Sequence, residues 1–292
     1  MYKGAFTALI TPFDEKGNFD EKSFRNIISF QIKSNIDGIV PCGTTGESPS
    51  LEKEDYEKVI KAAVDSANGK IPVIAGTGSN STRHAVELTK MAADIGADAS
   101  LLVCPYYNKP TQEGLYMHFS EIAKKVDIPL VIYNIQGRTG INMETQTLSR
   151  LAKEHSNIVA VKEASGNISQ MMDVLSELPK EFSVLSGDDN LTFPLMALGG
   201  KGVISVASNI IPKEMHELAD NMLNGRLDKA KKIHYSMLPL FKAIFIETNP
   251  IPIKTALSMK GMCKESFRLP MCSMNPANKE KLKNVLAGLG VI

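Results

Sequence analysis

A lysine at the end of an apolar run is the first feature of this sequence that could do covalent chemistry. Residues 157–166 read NIVAVKEASG, a β-rich segment bounded by polar turns that fits a short buried strand. Strand side chains alternate between faces, so Ile158, Ala160 and Lys162 are expected on one side and Val159 and Val161 on the other. An unpaired ammonium is costly to bury. A lowered pKa removes that cost, and the neutral amine that results is a nucleophile toward carbonyls. The plainer alternative is a lysine that reaches solvent and pairs with Glu163 or another neighbour.

Residues of matching chemistry recur at the ends of other apolar runs. Tyr133 closes residues 129–133 with the parity relative to Val131 that Lys162 has relative to Ala160. Neighbouring strands would then aim a phenol and an amine at one pocket, and a phenol can carry protons to and from a carbinolamine. Gly43-Thr44-Thr45-Gly46 offers two hydroxyls and close backbone N–H groups that can hold a carboxylate. Arg138 offers a bidentate clamp for a second carboxylate. Taken singly, a strand-end tyrosine is packing, a TTG turn is ordinary loop chemistry and an arginine is a solvated charge. On successive strand ends of one barrel they make a set suited to Schiff-base chemistry.

The elements that must position this set alternate along the chain. Strand-like runs lie at 5–10, 38–42, 72–76, 99–104, 129–133, 158–162, 182–185 and 202–206. Helical spacing lies between them: from a cap at Asp20 to about 34, then 51–67, from a cap at Ser81 to 95, 112–125, 144–155, 168–178, 191–198 and 212–223. The strands are short, rich in Val and Ile and without a polar face, as in a parallel sheet covered on both sides. Eight βα units within residues 1–224 fit a (β/α)8 TIM barrel, whose catalytic groups sit at the C-terminal ends of the strands. An open doubly wound sheet is the rival. The near-match GTGSNS at 76–81 lacks the third glycine of a dinucleotide loop and reads as turn chemistry. From residue 225 to 292 only helices are expected, at about 227–245, 250–260 and 278–286, a C-terminal three-helix domain that should pack on the barrel or on another subunit.

The bulk numbers exclude some functions. A net charge of +1 over 292 residues gives no electrostatic footprint for nucleic acid or an anionic membrane. Cys42, Cys104, Cys263 and Cys272 show no CxxC or zinc spacing, which suits a reducing cytoplasm. The apolar run at 5–10 is too short for a signal peptide, and no stretch approaches a membrane span. The five histidines, at 84, 118, 155, 216 and 234, make no ligand pattern.

Eight motifs in order carry a resemblance that runs nearly end to end: GTTGES at 43–48, IPVIAGTG at 71–78, PYYNKPTQEGLY at 105–116, YN..GRTG at 133–140, VKEASGN at 161–167, LSGDD at 185–189, GVISVASN at 202–209 and NPIPIK at 249–254. The chain resembles the dihydrodipicolinate synthase / N-acetylneuraminate lyase family of class I pyruvate aldolases. The resemblance implies a lyase that condenses pyruvate with aspartate semialdehyde, in lysine and diaminopimelate biosynthesis, with no organic cofactor and no catalytic metal. It implies that Lys162 forms the pyruvate imine and that Tyr133, Thr44 and Tyr107 relay protons, with Tyr107 reaching in from an adjacent subunit. It also implies that Thr45 binds the pyruvate carboxylate and Arg138 the aldehyde's carboxylate, while Gly187 and Ile204 line the pocket through their backbone. A homotetramer built from tight dimers follows from the same likeness. Arg138 disfavours the in-family alternative, an aldolase of N-acetylneuraminate or a 2-keto-3-deoxy sugar acid.

Two departures from the family pattern matter. Gln136 replaces a proline in the loop before Arg138. At the interface site where sensitive relatives bind lysine, Ser48, Asn80 and Tyr106 match, but His84 replaces a carboxylate and Lys53 and Tyr56 replace histidines. Weak or absent inhibition by lysine is therefore expected.

Overall fold

A computed structural model describes all 292 residues. Eight short strands, β1 (Gly4–Ala8), β2 (Gly38–Val40), β3 (Ile74–Gly76), β4 (Ala99–Val103), β5 (Leu130–Asn134), β6 (Ile158–Glu163), β7 (Ser183–Ser186) and β8 (Gly202–Ser205), run parallel. They pair in the order β2-β1-β8-β7-β6-β5-β4-β3. A single parallel bridge, Ile39 to Val73, joins the two ends and closes a TIM barrel.

Parity decides what fills the barrel. Phe6, Ala8, Val40, Ile74, Leu101, Val131, Tyr133, Ala160, Leu185 and Ile204 form the apolar interior, and burying each of the larger ones contributes about 1.5–3 kcal/mol. Phe6 plugs the bottom. Gly38 makes this possible, because a Cβ there would lie 2.3 Å from the Phe6 ring. The opposite strand faces meet the helices in a second, larger apolar layer. On β6 the expected alternation fails at its start. Leu130 pairs with Ile158 but Val131 pairs with Ala160, so Val159 is an extra residue, a bulge. Ile158 therefore packs in the outer layer while Val159 packs against the interior. Beyond the bulge the register returns and Tyr133 stands directly beside Lys162.

The helices are α1 (Glu21–Lys33), α2 (Lys53–Ala67), α3 (Thr82–Ile95), α4 (Gln112–Lys125), α5 (Gln136–Thr139), α6 (Thr145–Glu154), α7 (Ile168–Glu177), α8 (Thr192–Ala197) and α9 (Pro212–Leu223), followed by α10 (Leu227–Ala243), α11 (Ile251–Met259) and α12 (Pro276–Gly288). Asp20 caps α1 by accepting from the Ser23 N–H, and Ser81 caps α3 through the His84 N–H. The one-turn α5 was not expected from the sequence; it is too short for any periodicity to register. The buried apolar residues of α10, α11 and α12, among them Phe241, Leu257 and Leu286, join the same core as the barrel helices.

Candidate active site

The C-terminal ends of the strands bring the chemistry together. The Lys162 side chain is 5% exposed, and its Nζ lies 4.2 Å from the centre of the Tyr133 ring. Burial draws its pKa down to about 7; the charge of Asp189 opposes this and that of Arg138 adds to it. The bland expectation of a solvent-facing ion pair with Glu163 fails, since Glu163 lies on the opposite face. There its carboxylate accepts from the Ser165 N–H at 2.6 Å and from Asn134 Nδ2 at 3.1 Å. Burial also pushes the Tyr133 phenol up to about 12, with Arg138 and a hydrogen bond from Thr44 holding it lower. Tyr133 therefore keeps its proton at neutral pH and can donate it.

Gly187, after β7, lies against the lysine. A Cβ there would sit 3.0 Å from Lys162 Cε and 2.6 Å from Ala164 Cβ, so only glycine leaves the amine its channel. Ile204 is fully buried and forms the wall beneath the pocket with Leu185. Asp189 reaches from the end of β7 to the turn after β8, where its Oδ2 accepts from the Val206 and Ala207 N–H groups at 3.1 and 3.0 Å. Its Oδ1 is buried without a partner in the chain, and burial raises its pKa to about 6.

Thr44 and Thr45 open a tight 3-10 turn after β2. Its Gly46 and Glu47 N–H groups are spent on the carbonyls of Gly43 and Thr44. Glu47 is left-handed, with φ +56°, and buried. Its carboxylate pairs with Lys254 of α11 and accepts from the Arg268 N–H at 3.2 Å. Lys254 is fully buried beside the Phe13 ring; burial pulls its pKa down, and the Glu47 charge holds it up. Asn249, just before α11, donates from Nδ2 to Thr45 Oγ1 at 3.0 Å. Its carbonyl accepts from Arg138 Nη2 at 3.1 Å. The other guanidinium nitrogens of Arg138 make no hydrogen bond within the chain. Gln136 begins α5, and the loop takes its order from Thr139, whose hydroxyl lies 3.0 and 2.9 Å from the Ile135 and Ile141 carbonyls and shares its one proton between them.

The structure thus gathers Lys162, Tyr133, Thr44, Thr45, Arg138, Gly187 and Ile204 at one barrel mouth. Tyr107 stands apart: it is 89% exposed, with a left-handed backbone at φ +72°. A cleft of about 400 Å³ runs outward from Thr44 and Arg138 past Ser48, Tyr56, Asn80, His84 and Tyr106, with no acidic residue in its wall. Lys53 is not part of it and lies in a neighbouring groove between α2 and α3. Sequence reasoning missed Asp189, Asn249 and the Glu47–Lys254 pair as parts of the site. All four stand inside motifs noted above, but nothing in the sequence says which partner each would meet. No group of three or more His, Cys, Asp or Glu side chains is placed to hold a metal ion, and no helix is long and apolar enough to cross a membrane.

The chain is similar to known proteins over nearly its whole length. Residues 1–289 match the model of the dihydrodipicolinate synthetase family. A 4-hydroxy-tetrahydrodipicolinate synthase of Thermodesulfovibrio yellowstonii is 54% identical over 292 residues, covering 100% of both chains. One from a Hydrogenobaculum species is 53% identical with the same coverage. The crystal structure of dihydrodipicolinate synthase from Aquifex aeolicus superposes with a TM-score of 0.98 at 52% identity over 99% of each chain.

Proposed function

This chain belongs to the dihydrodipicolinate synthetase family, and from that premise we propose how its barrel mouth performs the family's reaction. The protein is a lyase, a 4-hydroxy-tetrahydrodipicolinate synthase, that condenses pyruvate with L-aspartate 4-semialdehyde in lysine and diaminopimelate biosynthesis. The observation that carries the mechanism is the cross-strand pair of a buried amine, Lys162, and a protonated phenol, Tyr133.

Neutral Lys162 Nζ attacks C2 of pyruvate, and the carbonyl π pair moves to oxygen. One proton passed from the attached nitrogen and a second donated by Tyr133 let that oxygen leave as water, giving the protonated imine and a Tyr133 phenolate. The Tyr133 phenolate takes a C3 proton to form the enamine, whose C3 attacks the aldehyde carbon, and the new alkoxide takes that proton back from Tyr133. The amino group of the second substrate then attacks C2, closes the ring and releases Lys162. Thr45 and the leading N–H groups of its turn hold the pyruvate carboxylate, and the free nitrogens of Arg138 clamp the carboxylate of the semialdehyde. Thr44 links Tyr133 to Tyr107 of a neighbouring copy. The 89% exposure of Tyr107 supports that assignment and a homo-oligomer, a tetramer built from two tight dimers; the cytoplasm is its proposed location.

Pyruvate consumption by the purified protein, with aspartate semialdehyde and N-acetylmannosamine in parallel, tests the substrate. Turnover with the semialdehyde alone is expected, lost in Arg138→Ala. Turnover with the amino sugar alone would replace the substrate while keeping Lys162. Failure of borohydride to trap pyruvate on Lys162 would end the Schiff-base reading.

A further inference from the structure

The motif NPIPIK at 249–254 lies outside the barrel, yet its first residue touches two groups of the proposed site. We infer that Asn249 is a positioning residue that aims the Thr45 hydroxyl at the pyruvate carboxylate and ties that hydroxyl to the Arg138 clamp. This inference rests on the substrate roles proposed above for Thr45 and Arg138.

A threonine hydroxyl has one proton to give and accepts through its lone pairs. Because Asn249 Nδ2 donates to Thr45 Oγ1, the hydroxyl proton must go elsewhere, and a carboxylate in the turn is the acceptor it suits. On the other side, the Asn249 carbonyl holds one terminal nitrogen of Arg138 and leaves the rest of the guanidinium free. One residue thus fixes the spacing between the two carboxylate binders, which matters because small errors in the placement of reacting groups cost rate. Three further observations separate this from ordinary packing. Asn249 is 5% exposed, so its geometry is not blurred by solvent. Its position is set from below by a buried ion pair, Lys254 with Glu47, which connects α11 to the residue next to the Thr44–Gly46 turn. Asn249 Oδ1 is itself buried with no partner in the chain. Such an acceptor is costly to leave idle, and a residue chosen for packing alone would not carry it.

The test titrates borohydride trapping of pyruvate on Lys162 and measures turnover separately. Asn249→Ala keeps the backbone carbonyl that Arg138 meets and deletes only the bond to Thr45. The pyruvate concentration for half-maximal trapping should rise about tenfold, the scale of one lost hydrogen bond to a charged ligand's binder, while KM for aspartate semialdehyde stays within about twofold. Asn249→Asp is isosteric and folds if Ala does not; it accepts the Thr45 proton and brings a negative charge, so it should weaken pyruvate more than Ala does. Adding Asn249→Ala to Thr45→Val should change half-saturation no further, because the two act through one hydroxyl. Unchanged half-saturation in either Asn249 variant, or full additivity with Thr45→Val, overturns the inference while the Schiff-base reading stands. Absence of trapping in the unsubstituted enzyme overturns both.

Discussion

At the scale of single residues, Lys162 shows how burial becomes reactivity. An exposed lysine is almost wholly protonated at neutral pH; here desolvation brings the pKa to about 7, so about half the amines are neutral there. The rate of imine formation should therefore climb with pH through a limb near 7 and level off above it. The same shift has a stability sign. Between about 7 and the ordinary lysine value of 10.5 the unfolded chain holds a proton that the folded chain does not, so this group's contribution to stability rises with pH across that window. Asp189 pulls the other way, its negative charge favouring the ammonium. Asp189→Asn should move the limb of the pyruvate-trapping profile to lower pH; a limb that stays put or moves upward would mean that Asp189 acts only through the turn it holds.

At the scale of elements, what the sequence made legible was what alternation controls. Tyr133 and Lys162 are each two residues past an interior side chain, and the register does place them together. Alternation could not foresee the bulge at Val159, because an inserted residue leaves no mark in an apolar run. Nor could it foresee Asn249 meeting Thr45, a hydrogen bond across 204 residues that depends on how α11 docks. That docking rests on the Glu47–Lys254 pair, both members essentially without solvent. Removing one partner strands a buried charge, so Lys254→Met should lower stability by about 3–5 kcal/mol, and pairing it with Glu47→Leu should recover much of the loss. Chemical denaturation of the two variants checks this; equal losses in both would mean that the pair contributes by packing rather than charge.

At the scale of the whole molecule, we propose that a neighbouring copy completes the site and that the site is unsuited to a cationic effector. Tyr107 projects into solvent, 89% exposed, in the single chain. A variant held monomeric by charged substitutions around Tyr106 and Tyr107 should lose most of its turnover while still folding, and a fully active monomer, seen by sedimentation, would remove Tyr107 from the relay. The cleft beside it carries Arg138 and His84 but no carboxylate. Lysine's side-chain ammonium would find no counter-charge there, and the arginine would disfavour it. Millimolar lysine should leave the rate essentially unchanged; half-inhibition at that level would show that a neighbouring copy supplies the missing acid.

The closure of the ring also decides where the protein breathes. Between β2 and β3 the barrel is held by the Ile39–Val73 bridge, in which the Ile39 N–H donates to the Pro72 carbonyl at 3.0 Å, and by the Gly76 N–H, which donates to the Pro41 carbonyl at 2.9 Å. Both acceptors are prolines, which have no N–H to give in return, so this seam cannot be knitted as densely as the β5–β6 ladder. Local opening should begin here, with the amides of Ile39 and Gly76 exchanging with deuterium sooner than those of Val161 and Lys162. β2 runs straight into the Thr44–Thr45 turn, so a keto acid gripped by that turn would also baste the seam shut. Slower exchange at Ile39 and Gly76 under saturating pyruvate would make the barrel's loosest joint a reporter of its first substrate.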